Sequence, residues 1–351
     1  MGTVKRLAEA VERGLRDAHP GLRKPVIKKL ALAVGAVLEG QTPNPVELAN
    51  RLPLATERQD RREQGLRRLL KNPLLSTAVV MEPWARQELE KAARHGQVVL
   101  LSLDQTELGD RMAVLMVGVR VGDRSLPLAW LAEAGAANMG FEGQRIVLER
   151  VRAWLPAGVA VLLSADRCYP SAALFGWLHS HGWRYRRRLK GNLLAAAGYG
   201  DETTTGELAP GVTERYRPSV QRFAAGVSTN LGILPEAGHE APWIIAMACT
   251  PTRAAVLDYA ACWAIEPTVA DFKSRGFDLE ASPLEQADRL ARLMLIMALA
   301  RYWCVQVGRD DALPCPTPLE KKRKRRPTPT IGASENAIAA WCLGSHEDCA
   351  V

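Results

Sequence analysis

Cysteine and histidine are scarce in this chain, and neither forms a pattern that would hold a zinc ion or a disulfide framework. The seven cysteines, an odd number, contain no Cys-x-x-Cys pair, and among six histidines only His179 and His181 lie close together. Reduced thiols in a cytosol fit this usage better than disulfides do. The N-terminus also lacks the apolar segment of a secretory signal, so we expect a cytoplasmic protein.

Long apolar segments without charges are absent too. The most apolar stretch, 288–307, contains Arg289, Arg292 and Arg301, which predicts a buried core helix and no membrane span. The chain carries 46 Lys and Arg against 38 Asp and Glu, a net charge of +8. This charge is compatible with a polyanionic partner but identifies none. Its 351 residues can bury an α/β core plus one or two smaller modules.

Two apolar stretches, 97–104 and 159–166, share the ending Leu-Leu-Ser-x-Asp. Short continuous apolar stretches are typical of strands that are buried on both faces of a sheet. Asp104 and Asp166 would then close their strands at the carboxyl end, where open α/β sheets bind ligands. Either aspartate alone suits an ordinary turn or cap, but two matching endings favour a shared site.

Three polar residues further along the chain, Tyr259, Glu266 and Lys273, are spaced seven apart. A helix over this segment would present all three on one face. A carboxylate between an aromatic hydroxyl and a lysine suits a site for phosphate and a metal ion. The alternative is the solvated polar stripe of an amphipathic helix. Pro267 directly follows Glu266, which predicts a kink or a restart of the helix there.

The elements around the two aspartates follow a recognisable order. Strands are predicted at 111–120 and 124–130, joined by a hairpin turn at Gly122-Asp123. A helix at 143–155, the strand that ends at Asp166, and a helix closed by Gly182 come next. Strand, hairpin, helix, strand, helix is the order of ribonuclease-H-like folds. We therefore expect an α/β fold with a ribonuclease-H-like mixed sheet flanked by helices, with an α-helical N-terminal region and a β-rich insertion.

These residues resemble the DDE transposases of bacterial insertion sequences, the group marked by a Tyr-Arg-Glu-Lys signature. Tyr259, Glu266 and Lys273 have the spacing of that signature, whereas its arginine position holds Cys262. The segment 164–171, continued at 188–192, is similar to the family's second-aspartate block, and Leu103-Asp104-Gln-Thr is similar to its first. The resemblance covers about 97–307.

The resemblance implies metal-dependent DNA cleavage at transposon ends and strand transfer to target DNA in cut-and-paste transposition. It implies that Asp104, Asp166 and Glu266 are catalytic and hold two Mg²⁺ ions, for which Mn²⁺ can substitute. The implied DNA contacts are Tyr259, Lys273, Arg188, Lys190 and Arg275. With Cys262 at the arginine position, that phosphate contact is either missing or supplied by Arg253 or Arg275. Trp183 and Trp243 are candidates for holding a flipped base.

The implied partner is double-stranded DNA, which comprises the terminal inverted repeats of the transposon and the target DNA. The protein would bind this DNA as a homodimer, and no membrane partner is expected. The protein would be cytoplasmic and associated with a bacterial nucleoid. The predicted organisation is a helical N-terminal region that is a candidate for binding DNA ends (1–95), the first part of the ribonuclease-H-like catalytic core (96–190), the β-rich insertion (191–242), the second part of the core (243–310), and a basic Pro-rich linker and tail (311–351).

Two basic segments lie outside that core. Glu57–Leu70 holds five arginines and would form a basic amphipathic helix that lies against DNA phosphates or faces solvent. No clear helix-turn-helix pattern accompanies it. In the tail, Lys321–Arg326 is a run of six cations suited to nonspecific phosphate contact.

Two alternatives remain open. A ribonuclease-H-like DNA endonuclease that performs no strand transfer needs the same carboxylates. A non-catalytic DNA-binding descendant of a transposase is favoured by Cys262 and opposed by the retention of all three acids.

Overall fold

The chain divides into two compact units in the computed structural model. The residues that the structure describes are 3–54, 56, 58–122, 124–165, 171–197, 203–208, 214–222, 227–235, 242–260, 265–275, 277 and 279–312. Unit 1 contains the described residues up to Trp84 and those from Ala270 onward, and unit 2 contains Ala85–Val269. The basic run Lys321–Arg326 lies outside the described residues.

Unit 1 is built from helices, as the sequence predicts for the N-terminal region. They are α1 (Thr3–Ala18), α2 (Lys24–Gly40), α3 (Pro45–Arg51), α4 (Gln59–Leu70), α5 (Thr77–Ala92), whose last residues belong to unit 2, and the long α10 (Ala287–Ala312). Buried Leu7, Val11 and Leu15 recur at helical spacing along α1, because one face of an amphipathic helix must leave water. Asn44 begins α3 by accepting a hydrogen bond from the Val46 N–H at 3.0 Å.

The helix α10 packs on α2 and α4 within unit 1. Residues Ala287–Arg309 are long and apolar enough to cross a membrane by length and composition, and 56% of the most apolar window is buried. Arg292 extends from α10 and donates to the Leu70 carbonyl at 2.9 Å and the Leu75 carbonyl at 3.2 Å. Since the last carbonyls of a helix have no partner within it, Arg292 satisfies the end of α4. The predicted second part of the core, 243–310, includes this helix, which lies in unit 1.

A mixed sheet of ten strands forms the centre of unit 2 within the described residues. The strands are β1 (Val99–Leu108), β2 (Met112–Val121), β3 (Arg124–Ala134), β4 (Val161–Ala165), β5 (Arg184–Arg188), β6 (Leu194–Ala197), β7 (Thr203–Thr204), β8 (Arg215–Arg222), β9 (Val227–Leu234) and β10 (Trp243–Met247). Their order in space is β3-β2-β1-β4-β5-β10-β9-β8-β6-β7. β2 is antiparallel to β1 and β3, whereas β4 is parallel to both β1 and β5.

Among its described residues, unit 2 also contains four α-helices. They are α6 (Phe141–Trp154), α7 (Ala172–Ser180), α8 (Arg253–Leu257) and α9 (Glu266–Ala270), whose last residue lies across the unit boundary. Ser171 caps α7 through its side chain, and Gly182 follows the helix with a φ of 65° that favours glycine. The predicted α/β class with a mixed sheet and flanking helices is confirmed.

Strands β6 to β9 cover much of the predicted β-rich insertion and continue the main sheet beyond β10. Gly232 in β9 allows α8 to approach closely, because a Cβ at this position would lie 2.2 Å from Val256 Cγ2. Val256 then joins Ile245, Met247 and Tyr259 in a buried cluster on this part of the sheet.

Candidate active site

The two Leu-Leu-Ser-x-Asp segments lie on adjacent parallel strands. The ladder between β1 and β4 pairs Leu101 with Leu163, Ser102 with Ser164, and Leu103 with Ala165. The repeated residues therefore face their counterparts one for one. Ala165 is the last described residue before Asp166, and Asp166 itself lies outside the described residues.

Asp104 is half-buried and follows the last residue of the β1–β4 ladder. Its Oδ1 accepts a hydrogen bond from the Gln105 N–H at 2.9 Å, and the Gln105 Oε1 accepts from the Met139 N–H at 2.9 Å. We predicted that the strand ends at Asp104, but it continues to Leu108 in the ladder with β2. Asp104 directly follows the last described pair of the parallel β1–β4 ladder, toward the carboxyl end of β4.

Glu266 is the first residue of α9 and is exposed. Two residues later, Thr268 is fully buried and bonds to both backbone groups of Ser125 in β3. A carboxylate in the first turn of a helix is favourable because the N-terminal N–H groups are partly positive. The short helix therefore begins at the carboxylate, and Pro267 in its first turn agrees with the predicted helix restart.

The prediction that one continuous helix presents Tyr259, Glu266 and Lys273 on a single face is wrong. α8 ends at Leu257, α9 begins only at Glu266, and a π-helical turn follows at Asp271–Arg275. The spacing of seven residues produces a common face only while the α-helical geometry is unbroken. Cys262, at the arginine position of the signature, lies outside the described residues.

Tyr259 has no exposed surface to offer to DNA in this structure. It is 2% exposed, and its ring packs edge-on against Trp243 at 5.5 Å between centroids. Trp243 is itself 5% exposed, and Trp183 is 6% exposed and packs against Trp177 at 5.2 Å. Tyr259, Trp183 and Trp243 are therefore all core side chains in this structure. Their low exposure gives no support for a tryptophan that stacks on a flipped base.

Lys273 and Arg275 belong to the π-helical turn in unit 1. The Lys273 Nζ lies 3.2 Å from the Glu280 Oε1, and both side chains are about one-third or more exposed. An exposed pair of this kind contributes little to stability. The Arg275 side chain lies outside the described part of the chain.

Arg188 is the last residue of β5 and Lys190 follows two residues later, whereas Asp104 lies on β1, which β4 separates from β5. Arg187 pairs with Ala165, which pairs with Leu103, so these three residues form one transverse row. The next residues along β1 and β5 are Asp104 and Arg188, whose side chains point to the same face because side chains alternate along strands. Arg188 is half-buried, and Lys190 is exposed.

Two further arginines of β5 were missed by the sequence analysis. Arg187 is fully buried with its guanidinium 5.5 Å from the centre of the Phe175 ring, a cation–π arrangement. Arg186 donates from Nε to the Ala255 carbonyl at 2.9 Å and so connects β5 to α8. Three consecutive arginines in a strand must alternate between faces, and that signal could have indicated that at least one of them is buried.

The arginines of α4 divide into structural and exposed ones. Arg62 donates to the carbonyls of Thr56, Asn50 and Leu52, at 2.7, 2.8 and 3.1 Å, and so fixes the loop between α3 and α4. Arg58 pairs with Asp60 and Arg67 pairs with Glu63. Arg61 and Arg68 are exposed, and their spacing of seven residues puts them on one side of α4.

No group of three or more His, Cys, Asp or Glu side chains is arranged to hold a metal ion among the described residues, which do not include Asp166. The predicted metal triad therefore stays a prediction. Comparison with protein-family models and with curated protein sequences gives no match.

Proposed function

We propose that this chain is a DNA transposase of the DDE type, with a ribonuclease-H-like catalytic core in unit 2. The observation that carries the proposal is the alignment of the two repeated segments, Ser102 opposite Ser164, on adjacent parallel strands. Since Asp104 and Asp166 directly follow the paired residues Leu103 and Ala165 in the sequence, we propose that their carboxylates share one end of the parallel ladder. Two aspartates at matching positions of paired strand segments would make an acidic site.

The order of elements supports the same proposal. β1, the β2–β3 hairpin, α6, β4, α7 and β5 follow one another along the chain, and β4 and β5 lie beside β1 in the sheet. This agrees with the order of elements in ribonuclease-H-like folds, in which the first acid lies on the first strand and the second follows the fourth. The strands β6 to β9 between β5 and β10 agree with the insertion that the resemblance implies.

The donors fit divalent ions with a preference for oxygen. Asp104, Asp166 and Glu266 offer carboxylates, which are hard ligands that suit Mg²⁺ and Mn²⁺. When bound, a pair of such ions would activate the attacking oxygen and stabilise the leaving oxygen at phosphorus. The three carboxylates would hold these ions.

The chemistry is two in-line displacements at phosphorus. In the first, water attacks the phosphate at the transposon end, and the bond from phosphorus to the 3′-oxygen breaks, which leaves a free 3′-hydroxyl. In the second, that hydroxyl attacks a target phosphate, and the target's own 3′-oxygen leaves. Arg188 and Lys190 would bind the non-bridging oxygens, because Arg188 ends β5 on the same face of the sheet as Asp104 and Lys190 follows it. We further propose a homodimer that pairs two ends of double-stranded DNA in a bacterial cytoplasm.

The exposed arginines of α4 support a DNA partner for unit 1. Arg61 and Arg68 present two charges on one rigid helix, since Arg62 holds the loop beneath it. Arginines at this spacing can contact successive phosphates along a groove. We assign these residues to binding of the terminal repeats, apart from the chemistry in unit 2.

The test uses the full chain, Mg²⁺, and labelled DNA that carries the inverted repeats flanking its gene, with a supercoiled plasmid as the target. We expect nicked ends and joined products in Mg²⁺ and neither in EDTA. Nicked ends without joined products would favour the endonuclease alternative. Binding without either product would favour the non-catalytic descendant, and products that persist in EDTA would refute the metal-dependent mechanism.

A further inference from the structure

A cleft of about 410 Å³ lies within unit 1, between the start of α3, the second half of α4 and the segment 283–289. Three cations line it, Arg67, Lys71 and Arg289, and proline, valine and leucine side chains form much of the remaining wall. Sites for small molecules have volumes of about 300–1,000 Å³ and combine apolar walls with a few charged groups. The cleft has both the size and the lining of such a site.

The two sides of the cleft are joined by Arg292 of α10. Its guanidinium donates to the Leu70 carbonyl at 2.9 Å and to the Leu75 carbonyl at 3.2 Å. Lys71 directly follows Leu70. Arg289 lies three residues before Arg292, which places it one turn away on the same side of α10. The hydrogen bonds of Arg292 therefore hold the backbone positions of Lys71 and Arg289 at one junction.

The side chains of Lys71 and Arg289 have no ion pair and no hydrogen bond within the part of the chain that the structure describes. Arg289 lies in the first turn of α10, where a positive charge opposes the helix dipole. Helix stability therefore does not explain its place. The neighbouring Asp288 is held by Arg292 at 2.6 Å. Both cations of the cleft are thus available for an anionic ligand.

The other groups of the lining favour a nucleotide over a simple anion. Arg67 lies 3.0 Å from Glu63 and neutralises it, which leaves Lys71 and Arg289 against one exposed carboxylate, Glu285. Two cations suit a phosphate group, and a carboxylate accepts hydrogen bonds from the amino group of cytosine. The apolar wall suits the body of the base.

We propose that this cleft binds a single nucleotide, with its phosphate on Lys71 and Arg289. The nucleotide is either free or the phosphorylated end of a DNA strand, since both present the same groups. This inference does not depend on the proposed catalytic site, because all of the lining residues belong to unit 1.

The experiment is isothermal titration calorimetry on the full chain in EDTA, so that no DNA is cleaved. The probes are deoxycytidine monophosphate (dCMP), inorganic phosphate, and a short duplex with and without a 5′-phosphate. We expect dCMP to bind more tightly than inorganic phosphate if the ligand is free, and the phosphorylated duplex to bind more tightly than its unphosphorylated form if the ligand is a DNA end. Lys71→Ala/Arg289→Ala should weaken the preferred probe by at least about 10-fold, because each lost charge-assisted hydrogen bond costs about that much.

The matched control is Lys28→Ala/Lys29→Ala, which removes the same net charge from exposed positions of α2, in unit 1 but outside the cleft. This control should bind the probes as the original protein does. Should Lys71→Ala/Arg289→Ala fail to fold, Lys71→Ala alone changes only an exposed position and should still weaken binding.

The nucleotide site would be overturned by equal losses in the two double variants, or by unchanged binding in Lys71→Ala/Arg289→Ala. It would also be overturned if neither dCMP nor the 5′-phosphate of the duplex gives any gain in affinity over its comparison probe. These measurements involve no cleavage, so a failure here leaves the transposase proposal to its own test.

Discussion

Ser102 and Ser164 lie directly opposite each other on the adjacent parallel strands β1 and β4. They occupy the same position in two Leu-Leu-Ser-x-Asp segments that are far apart in the sequence. A shift of the ladder by one residue would turn one segment's side chains to the other face of the sheet. The register therefore aligns the residues that lead into Asp104 and Asp166, and the first prediction concerns these aspartates.

Asp166→Ala should remove metal-dependent cleavage and leave the binding of transposon ends largely intact. The Asp166 carboxylate would bind the metal ions that the reaction needs, whereas Lys and Arg side chains elsewhere on the chain would bind the DNA. Gel-based cleavage and fluorescence anisotropy on the same DNA separate these two effects. Asp104→Ala should behave in the same way. Loss of DNA binding in a folded variant, or cleavage at the original rate, would contradict the assignment.

Arg61→Ala/Arg68→Ala should weaken DNA binding and reduce its dependence on salt. Each phosphate contact that is lost lowers the slope of log affinity against log salt concentration by about 1, so the double variant should lower it by about 2. The measurement is anisotropy over a series of NaCl concentrations.

The matched control is Arg58→Ala/Arg67→Ala, which removes the same net charge from α4 and the residue that precedes it. These arginines pair with Asp60 and Glu63, so we expect a smaller change in slope. Equal changes in both double variants would show that α4 acts through its overall charge and has no specific DNA-contacting face.

The sequence predicted the elements around Asp104 well because their signals are local. Alternating or continuous apolar residues, the Gly122-Asp123 turn and Gly182 after α7 each mark an element within a few residues. The hairpin joins Val121 to Arg124 across that turn, and α7 follows its Ser171 cap. The α/β class follows from these elements alone.

The third segment could not be predicted in the same way. The seven-residue spacing of Tyr259, Glu266 and Lys273 assumes a continuous helix, but tertiary contacts decide otherwise. Tyr259 packs against Trp243, and Thr268 bonds to Ser125 of a strand far away in the sequence. No local pattern indicates such partners, since spacing describes only neighbours along one element.

Gly232→Ala should destabilise the protein by about 1–3 kcal/mol, the usual effect of overpacking a core. The added Cβ would lie 2.2 Å from Val256 Cγ2 and 2.9 Å from Met247 Cε, so α8 would have to move away from β9. Urea unfolding of the full chain measures the change. In a Val256→Ala background the obstructing methyl groups are gone, and the same substitution should cost much less. Additive effects of the two substitutions would contradict direct contact as the cause.

His19 should make the protein less stable in mild acid. The residue is 6% exposed at the end of α1, and its Nε2 is buried without a hydrogen-bond partner among the described residues. Burial lowers the pKa of the His19 imidazole below its ordinary value of 6.5, and a hydrogen bond with the Val80 backbone opposes part of this effect. Between the two pKa values, the unfolded chain binds a proton that the folded chain does not.

The His19 contribution to stability is therefore complete above about pH 6.5, the ordinary histidine pKa, and is lost as the pH falls toward the lower pKa of the folded state. His19→Gln cannot take up this proton. Its free energy of unfolding should therefore fall less between pH 7.5 and pH 5.0 than that of the original protein. These two pH values lie about 1–1.5 units on either side of the ordinary histidine pKa. His95→Asn, at an exposed position with a φ of 59° that asparagine tolerates, should retain the original pH dependence. If His19→Gln loses stability with acid as steeply as the original protein, another group is responsible for the acid sensitivity.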